Sequence, residues 1–187
     1  MPVGHSYSSE AIKQIVRDLY ILHLNPIEDI RVIINENNLF DFQLWIFGPT
    51  GTPYENGAFR VKLSFSSEFP HIPPSCKFLT KIYHPNISHD GEVCINTLRY
   101  SWQPGLGIGH ILMTLRCLLI QPYPESIMND EAGRLFLENY EAYAKYARLA
   151  TEIHANCKAQ SEGKSPRKRA GDPKEKRVDK KRILKHT

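Results

Sequence analysis

The chain has 187 residues, with 24 Lys or Arg against 20 Asp or Glu and a formal net charge of +4. That length suffices for one substantial core, and no run of about 18 apolar residues supports a membrane span. Four scattered cysteines (Cys76, Cys94, Cys117, Cys157) form neither a CxxC pair nor a dense framework; with an N-terminus lacking the basic and apolar regions of a secretory signal, they point to reduced thiols and a cytoplasmic or nuclear location.

Ile12, Ile15, Val16, Leu19, Ile21 and Leu22 recur at roughly helical spacing, with Ser8 or Ser9 available as N-cap, and Asn25-Pro26 ends that helix. Three β-rich runs follow at Ile30–Ile34, Leu39–Phe47 and Phe59–Phe65, the last two separated by the Gly- and Pro-rich stretch Gly48–Pro53. In the third run Phe59, Val61, Leu63 and Phe65 alternate with Arg60, Lys62 and Ser64, the pattern of a half-buried strand. Cys76–Thr80 is a fourth strand after Pro73-Pro74, and connections this short favour an antiparallel meander, because a parallel crossover needs a dozen or more residues. Helices are expected at about 108–120, 129–137 and 139–156, with a break at Pro122-Tyr123-Pro124. The fold class is α+β.

The charge divides the chain in two. Residues 158–187 hold twelve Lys or Arg and four Asp or Glu, net +8, which leaves twelve and sixteen in residues 1–157, net −4. Beyond alanine, only Val178, Ile183 and Leu184 are aliphatic in that basic segment. Too little apolar surface is available there to offset the entropy of ordering. A core domain over 1–157 and a disordered basic tail over 158–187 are therefore expected.

The most informative stretch is His84-Pro85-Asn86-Ile87-Ser88-His89-Asp90-Gly91-Glu92-Val93-Cys94. An amide side chain and a thiol stand eight positions apart across a turn shaped by Pro85 and Gly91, with the thiol between Val93 and Ile95. From the residue types alone two readings are open. Cys94 is a nucleophile whose adduct meets a hydrogen-bond donor such as the Asn86 amide, or the stretch is a proline-bent loop beside a structural cysteine. A zinc site of His84, His89 and Cys94 lacks a fourth ligand and paired spacing, and no metal or cofactor is expected.

An ordered set of motifs resolves the choice. Gly48-Pro49, Gly51-Thr52-Pro53-Tyr54, Gly57 before Phe59, Phe69-Pro70, Pro73-Pro74, His84-Pro85-Asn86, Gly91, Cys94, Leu98, Trp102 and Pro104 resemble, over residues 8–156, the ubiquitin-conjugating (E2) enzymes. The resemblance implies a four-stranded antiparallel sheet with an N-terminal helix and C-terminal helices. It also implies that Cys94 receives ubiquitin as a thioester from an activating enzyme (E1), which consumes the ATP, and passes it to a lysine amine. His84 and Pro85 then shape the turn, which disfavours a Cys–His protease, and Asn86 either donates to the oxyanion or supports the loop. The attacking amine, with a free pKa of about 10.4, must lose a proton. In Pro124-Glu125-Ser126-Ile127-Met128-Asn129-Asp130-Glu131, Asp130 is placed to orient or deprotonate it, its alternative role being a helix-start acid favoured by the dipole. Ser126 is the residue of that loop placed to gate access or touch the acceptor, and Glu125 and Glu131 are weaker candidates. By the same resemblance His71 and Pro104 stand in the loops that meet RING-type ligases (E3), and Lys13 and Arg17 on the first helix face the E1 or simply water. A non-catalytic E2-like binding module, or an E2 for a related modifier, is the competing function.

Within the family, Phe78–Asn86 and the run from Cys117 to His154, which includes Glu131-Ala132-Gly133-Arg134-Leu135, resemble the chain-elongating S-type E2s of the anaphase-promoting complex. This implies chains linked through the lysine at ubiquitin's eleventh position, and a tail that docks on the ligase with Ile183 and Leu184 as apolar anchors. Thr50, Tyr100 and Ser101 depart from that type, where charged residues contact the acceptor. A thirty-residue tail reaches about 100 Å at most and spans about 30 Å as a coil, enough to raise the local concentration of the domain at a partner. Nuclear import through Pro166-Arg167-Lys168-Arg169 and Lys180-Lys181-Arg182 competes with docking, as does a solvated tail without function; nucleic-acid binding is not favoured.

Overall fold

In the computed structural model, residues 7–35, 38–94, 98–99 and 102–156 are described. Helix α1 (Ser9–Leu24) is followed by β1 (Ile30–Ile33), β2 (Asp41–Phe47), β3 (Ala58–Ser64) and β4 (Ser75–Phe78). Helix α2 (Gly107–Ile120), a 3₁₀ turn (Pro124–Ser126), α3 (Asp130–Glu138) and α4 (Tyr140–His154) complete the order. The four strands form an antiparallel meander in the order β1-β2-β3-β4. The α+β expectation and the expected element order hold. Among the described residues no helix is long and apolar enough to cross a membrane.

Register follows from which side chains must be dry. Phe42 pairs with Leu63, Leu44 with Val61 and Ile46 with Phe59, and all six are buried. A slip of one residue would turn all of them to the opposite face. The outward-facing Trp45 instead carries the Arg60 guanidinium over its ring at 5.8 Å. Three strands are shorter than expected, β1 ending at Ile33 rather than Ile34. β2 starts at Asp41 because Asn38 captures the preceding turn: its side-chain oxygen accepts from the Phe40 N–H at 3.0 Å. β4 stops at Phe78, beyond which the Leu79 and Thr80 N–H groups both turn to the Arg60 carbonyl.

Ser8 is the N-cap of α1, its hydroxyl accepting from the Ala11 N–H at 3.0 Å. Ala11, Ile15 and Leu19 form the buried stripe of that helix, which packs on α2 and its buried Ile108, Ile111, Leu112 and Leu115. The polar members of the α1 face do specific work at α2's start. The Asp18 carboxylate accepts from the Ile108 N–H at 3.0 Å, and the Gln14 amide donates to the Pro104 carbonyl at 2.8 Å. Gly107, at φ 74°, lies so close that a Cβ would stand 2.5 Å from the Asp18 carboxylate. No side chain of α2's own segment caps it, so α1 satisfies one of its unpaired N–H groups across the fold.

Candidate active site

His84 is fully buried and its tautomer follows from its neighbours. The Asn86 backbone N–H donates to His84 Nδ1 at 3.0 Å, so the ring proton is on Nε2, which donates to the Leu118 carbonyl at 2.9 Å in the last turn of α2. Burial, only partly offset by that bond to Leu118, lowers the His84 pKa to about 4. His84 is thus a buried neutral imidazole with both ring nitrogens held by backbone groups.

The next two residues tie down the loop after α2. The Pro85 carbonyl accepts from the Met128 N–H at 2.7 Å and the Asn129 N–H at 3.0 Å. The Asn86 amide nitrogen donates to the Tyr123 carbonyl at 2.6 Å and the Ser126 carbonyl at 2.8 Å, while its oxygen accepts from the Tyr123 N–H at 2.8 Å. Both N–H donors of this fully buried amide are engaged. From the other side, the Cys94 N–H donates to the Asn86 carbonyl at 3.2 Å, and Ile87 and Val93 bridge. The tripeptide is therefore a common anchor for the thiol and for the loop carrying Ser126 and Asp130.

Cys94 is partly exposed, unlike the buried Cys76, whose thiol burial holds far above the ordinary range. Gly91 makes the return from Pro85 to Cys94 possible. At φ 88° it lies where a Cβ would stand 2.0 Å from the Phe78 carbonyl oxygen, and its own carbonyl accepts from the Phe78 N–H at 2.8 Å. Beneath the site, the Tyr54 hydroxyl donates to the Tyr83 carbonyl, one residue before His84, at 2.8 Å. That leaves Tyr143 on α4 to donate to Tyr54 across 2.7 Å. Burial raises the pKa of both phenols, so each keeps its proton.

Ser126 is buried; its carbonyl accepts from the Asn86 amide and its N–H donates to the Tyr123 carbonyl at 3.2 Å. Asp130 is exposed as the first residue of α3, behind the Asn129 cap whose side chain accepts from the Ala132 N–H at 3.1 Å. Glu125 and Glu131 are exposed as well. His71 and Pro104 are exposed at the ends of two loops that Trp102 joins by donating to the Pro70 carbonyl at 2.9 Å, and Lys13 and Arg17 are exposed on α1. Thr50 is exposed in the turn after β2, whereas Tyr100, Ser101, Cys157 and the tail with Ile183 and Leu184 lie outside the described residues. Among the described residues no His, Cys, Asp and Glu group is arranged to hold a metal ion.

Sequence reasoning missed Tyr123, Tyr143 and Leu118. The first and last act through backbone atoms, which carry no residue signal. Tyr143 was detectable in part: with Ala144, Ala147 and Thr151 it falls on the buried face of α4, and Tyr140 and Tyr146 do not.

Residues 14–151 match the family described as ubiquitin-conjugating enzyme. The chain is 47% identical over 195 residues to a Drosophila virilis protein named ubiquitin-conjugating enzyme E2 S, with 95% of this chain and 94% of the relative covered. It is 53% identical over 148 residues to the protein of that name from Drosophila persimilis, covering 79% and 71% respectively. Among solved structures, a Plasmodium yoelii chain described as a candidate ubiquitin conjugating enzyme superposes with a TM-score of 0.72 at 32% identity. That match covers 81% of this chain and 99% of the other.

Proposed function

The chain belongs to the ubiquitin-conjugating enzyme family, and on that premise we propose that Cys94 carries ubiquitin as a thioester and delivers it to lysine amines, elongating chains. The observation that supports this most directly is a partly exposed thiol on a residue whose backbone N–H is bonded to Asn86, in the same tripeptide that anchors the Ser126–Asp130 loop. In the first step the Cys94 thiolate attacks the carbonyl of the E1 thioester, the E1 cysteine leaves as its thiolate, and the acyl group moves to Cys94. In the second, a lysine nitrogen attacks the new thioester. The C–N bond forms, the C–S bond breaks, Cys94 leaves as thiolate, and the ammonium proton passes to a carboxylate or to water.

Asp130 is the residue we assign to that proton or to orienting the amine. It is exposed beside Asn129, whose N–H is fixed to Pro85. Asn86 acts first as the loop's support. To donate to an oxyanion it must release the Tyr123 or the Ser126 carbonyl. Recruitment by a RING-type E3, the anaphase-promoting complex in particular, rests on the likeness to proteins named E2 S, as does linkage through ubiquitin's eleventh-position lysine. A nuclear and cytoplasmic location belongs to the same reading.

Incubation with E1, ATP and ubiquitin tests it. A thiol-labile adduct that disappears in Cys94→Ala is expected, and mass spectrometry of the chains then reads the linkage. Absence of any such adduct, with ubiquitin or a related modifier, would leave a non-catalytic binding module.

A further inference from the structure

Between the tie at Ser126 and the ties at Met128 and Asn129 lies Ile127, 36% exposed, with its side chain against Gly133 of α3. A Cβ on Gly133, in the interior of α3, would stand 2.7 Å from Ile127 Cγ2, 2.8 Å from Cδ1 and 3.0 Å from Cγ1. Gly133 is buried, has no positive φ, and donates its N–H to the Asn129 carbonyl at 2.8 Å in ordinary helical fashion. Its backbone therefore gives no reason for glycine, and alanine is the better helix former at such a position. The reason lies in packing: both branches at the Ile127 Cβ press on the place where a methyl group would be. A β-branched side chain has little χ1 freedom to turn both away, so a methyl group at 133 displaces Ile127 as a whole.

We infer that Gly133 is a positioning residue: its missing side chain lets Ile127 seat the Ser126–Asn129 loop close on α3, and this fixes where Asp130 and the Asn86-bound loop stand relative to the Cys94 thioester. The inference rests on the proposed thioester chemistry for its functional half and on geometry alone for its structural half. Neither residue touches ubiquitin's reacting atoms in this assignment; both act through the loop. A larger residue at 133 lifts the loop, lengthens the Asn86 bonds to Tyr123 and Ser126, and moves Asp130 away from the incoming amine.

Gly133→Ala separates positioning from folding because the two respond differently. Charging of Cys94 by E1 is expected to stay within about twofold of the unaltered protein, while single-turnover discharge to free lysine slows about tenfold or more, with the loss in the maximal rate rather than in the lysine concentration needed. Thermal unfolding monitors the fold in parallel. Ile127→Ala placed in the Gly133→Ala background removes both branches and is expected to recover a large part of the discharge rate. Amide exchange of the Asn86 side chain, followed by NMR, is expected to be faster in Gly133→Ala and to slow again in the double variant. Unchanged discharge in Gly133→Ala, an equal loss of charging and discharge, or no recovery in the double variant would overturn the functional half. Unchanged Asn86 exchange would overturn the structural half. Should the unaltered protein take no ubiquitin at all while Asn86 exchange still responds, the thioester reading fails and the loop-seating inference stands.

Discussion

Asn86 and Asp130 meet the same loop from its two sides, and they are built in opposite ways. Asn86 is fully buried, with three side-chain hydrogen bonds to the loop backbone, and its neighbour His84 is buried and neutral. Asp130 is exposed one residue beyond a capped helix start, and among the described residues its carboxylate takes part in none of the hydrogen bonds or ion pairs given above. A group that must meet an arriving amine has to remain hydrated and reachable. A group that fixes a loop to the thiol's own strand-like segment has to be dry and saturated, because an unmade bond there carries the full desolvation cost. On the proposed chemistry the difference predicts two kinds of importance: stability with activity at Asn86, activity alone at Asp130.

Asn86→Ala is the strongest way to break that contrast. It strands the Ser126 carbonyl and the Tyr123 N–H and leaves the Tyr123 carbonyl with only the Ser126 N–H, so unfolding free energy in denaturant is expected to fall by about 3 kcal/mol. Discharge of the Cys94 thioester is expected to fall roughly a hundredfold or more, the scale of a lost oxyanion donor or a misplaced catalytic loop. Full stability with slow discharge would instead make the amide a donor and not a support.

The buried brace gives the next largest effect through pH. The pKa of His84 is lowered on folding, from an ordinary value near 6.5 to about 4. Above pH 6.5 neither the folded nor the unfolded state protonates it and its contribution is whole. As pH falls from about 6.5 toward 4 the unfolded chain binds the proton and the folded one does not, so stability drops by about 3 kcal/mol at most. Denaturation curves over that range are expected to be steeper with pH for the native protein than for His84→Gln, and parallel slopes would contradict the assignment.

Asp130→Asn is the sharp counterpart with the smallest structural effect. Removing one exposed charge from the first turn of α3 changes stability by roughly 0.5 kcal/mol, while discharge to lysine is expected to slow about tenfold or more, in the range of a lost general base or positioning carboxylate. Recovery of the rate as pH rises, where more of the amine is already unprotonated, separates proton removal from orientation. An unchanged rate at every pH would return Asp130 to the role of a helix-start acid.

The contrast also marks how far residue types carry. The alternation at Phe59, Val61, Leu63 and Phe65 specified a half-buried strand, short connections specified a meander, and the order of His84-Pro85-Asn86, Gly91 and Cys94 carried the family resemblance that implies Cys94 as the nucleophile. These depend on local periodicity or on motifs contiguous in the chain, so they survive without any knowledge of contacts. What Asn86 bonds to was not legible, since its partners are backbone atoms of Tyr123 and Ser126, 37 and 40 positions away. Asp18 capping α2 from 90 positions away was hidden for the same reason, as was the Tyr54–Tyr143 pair at a separation of 89.

By itself, then, the sequence determined the α+β order and the buried faces, because side-chain polarity repeats at the period of the element that buries it. Only the tertiary structure decided that the Asn86 amide is saturated, that Ser126 turns its carbonyl to it, and that Gly133 makes room for Ile127. Those outcomes depend on which backbone groups remain unpaired once helices and sheet are packed, and residue type says nothing about that until distant segments meet.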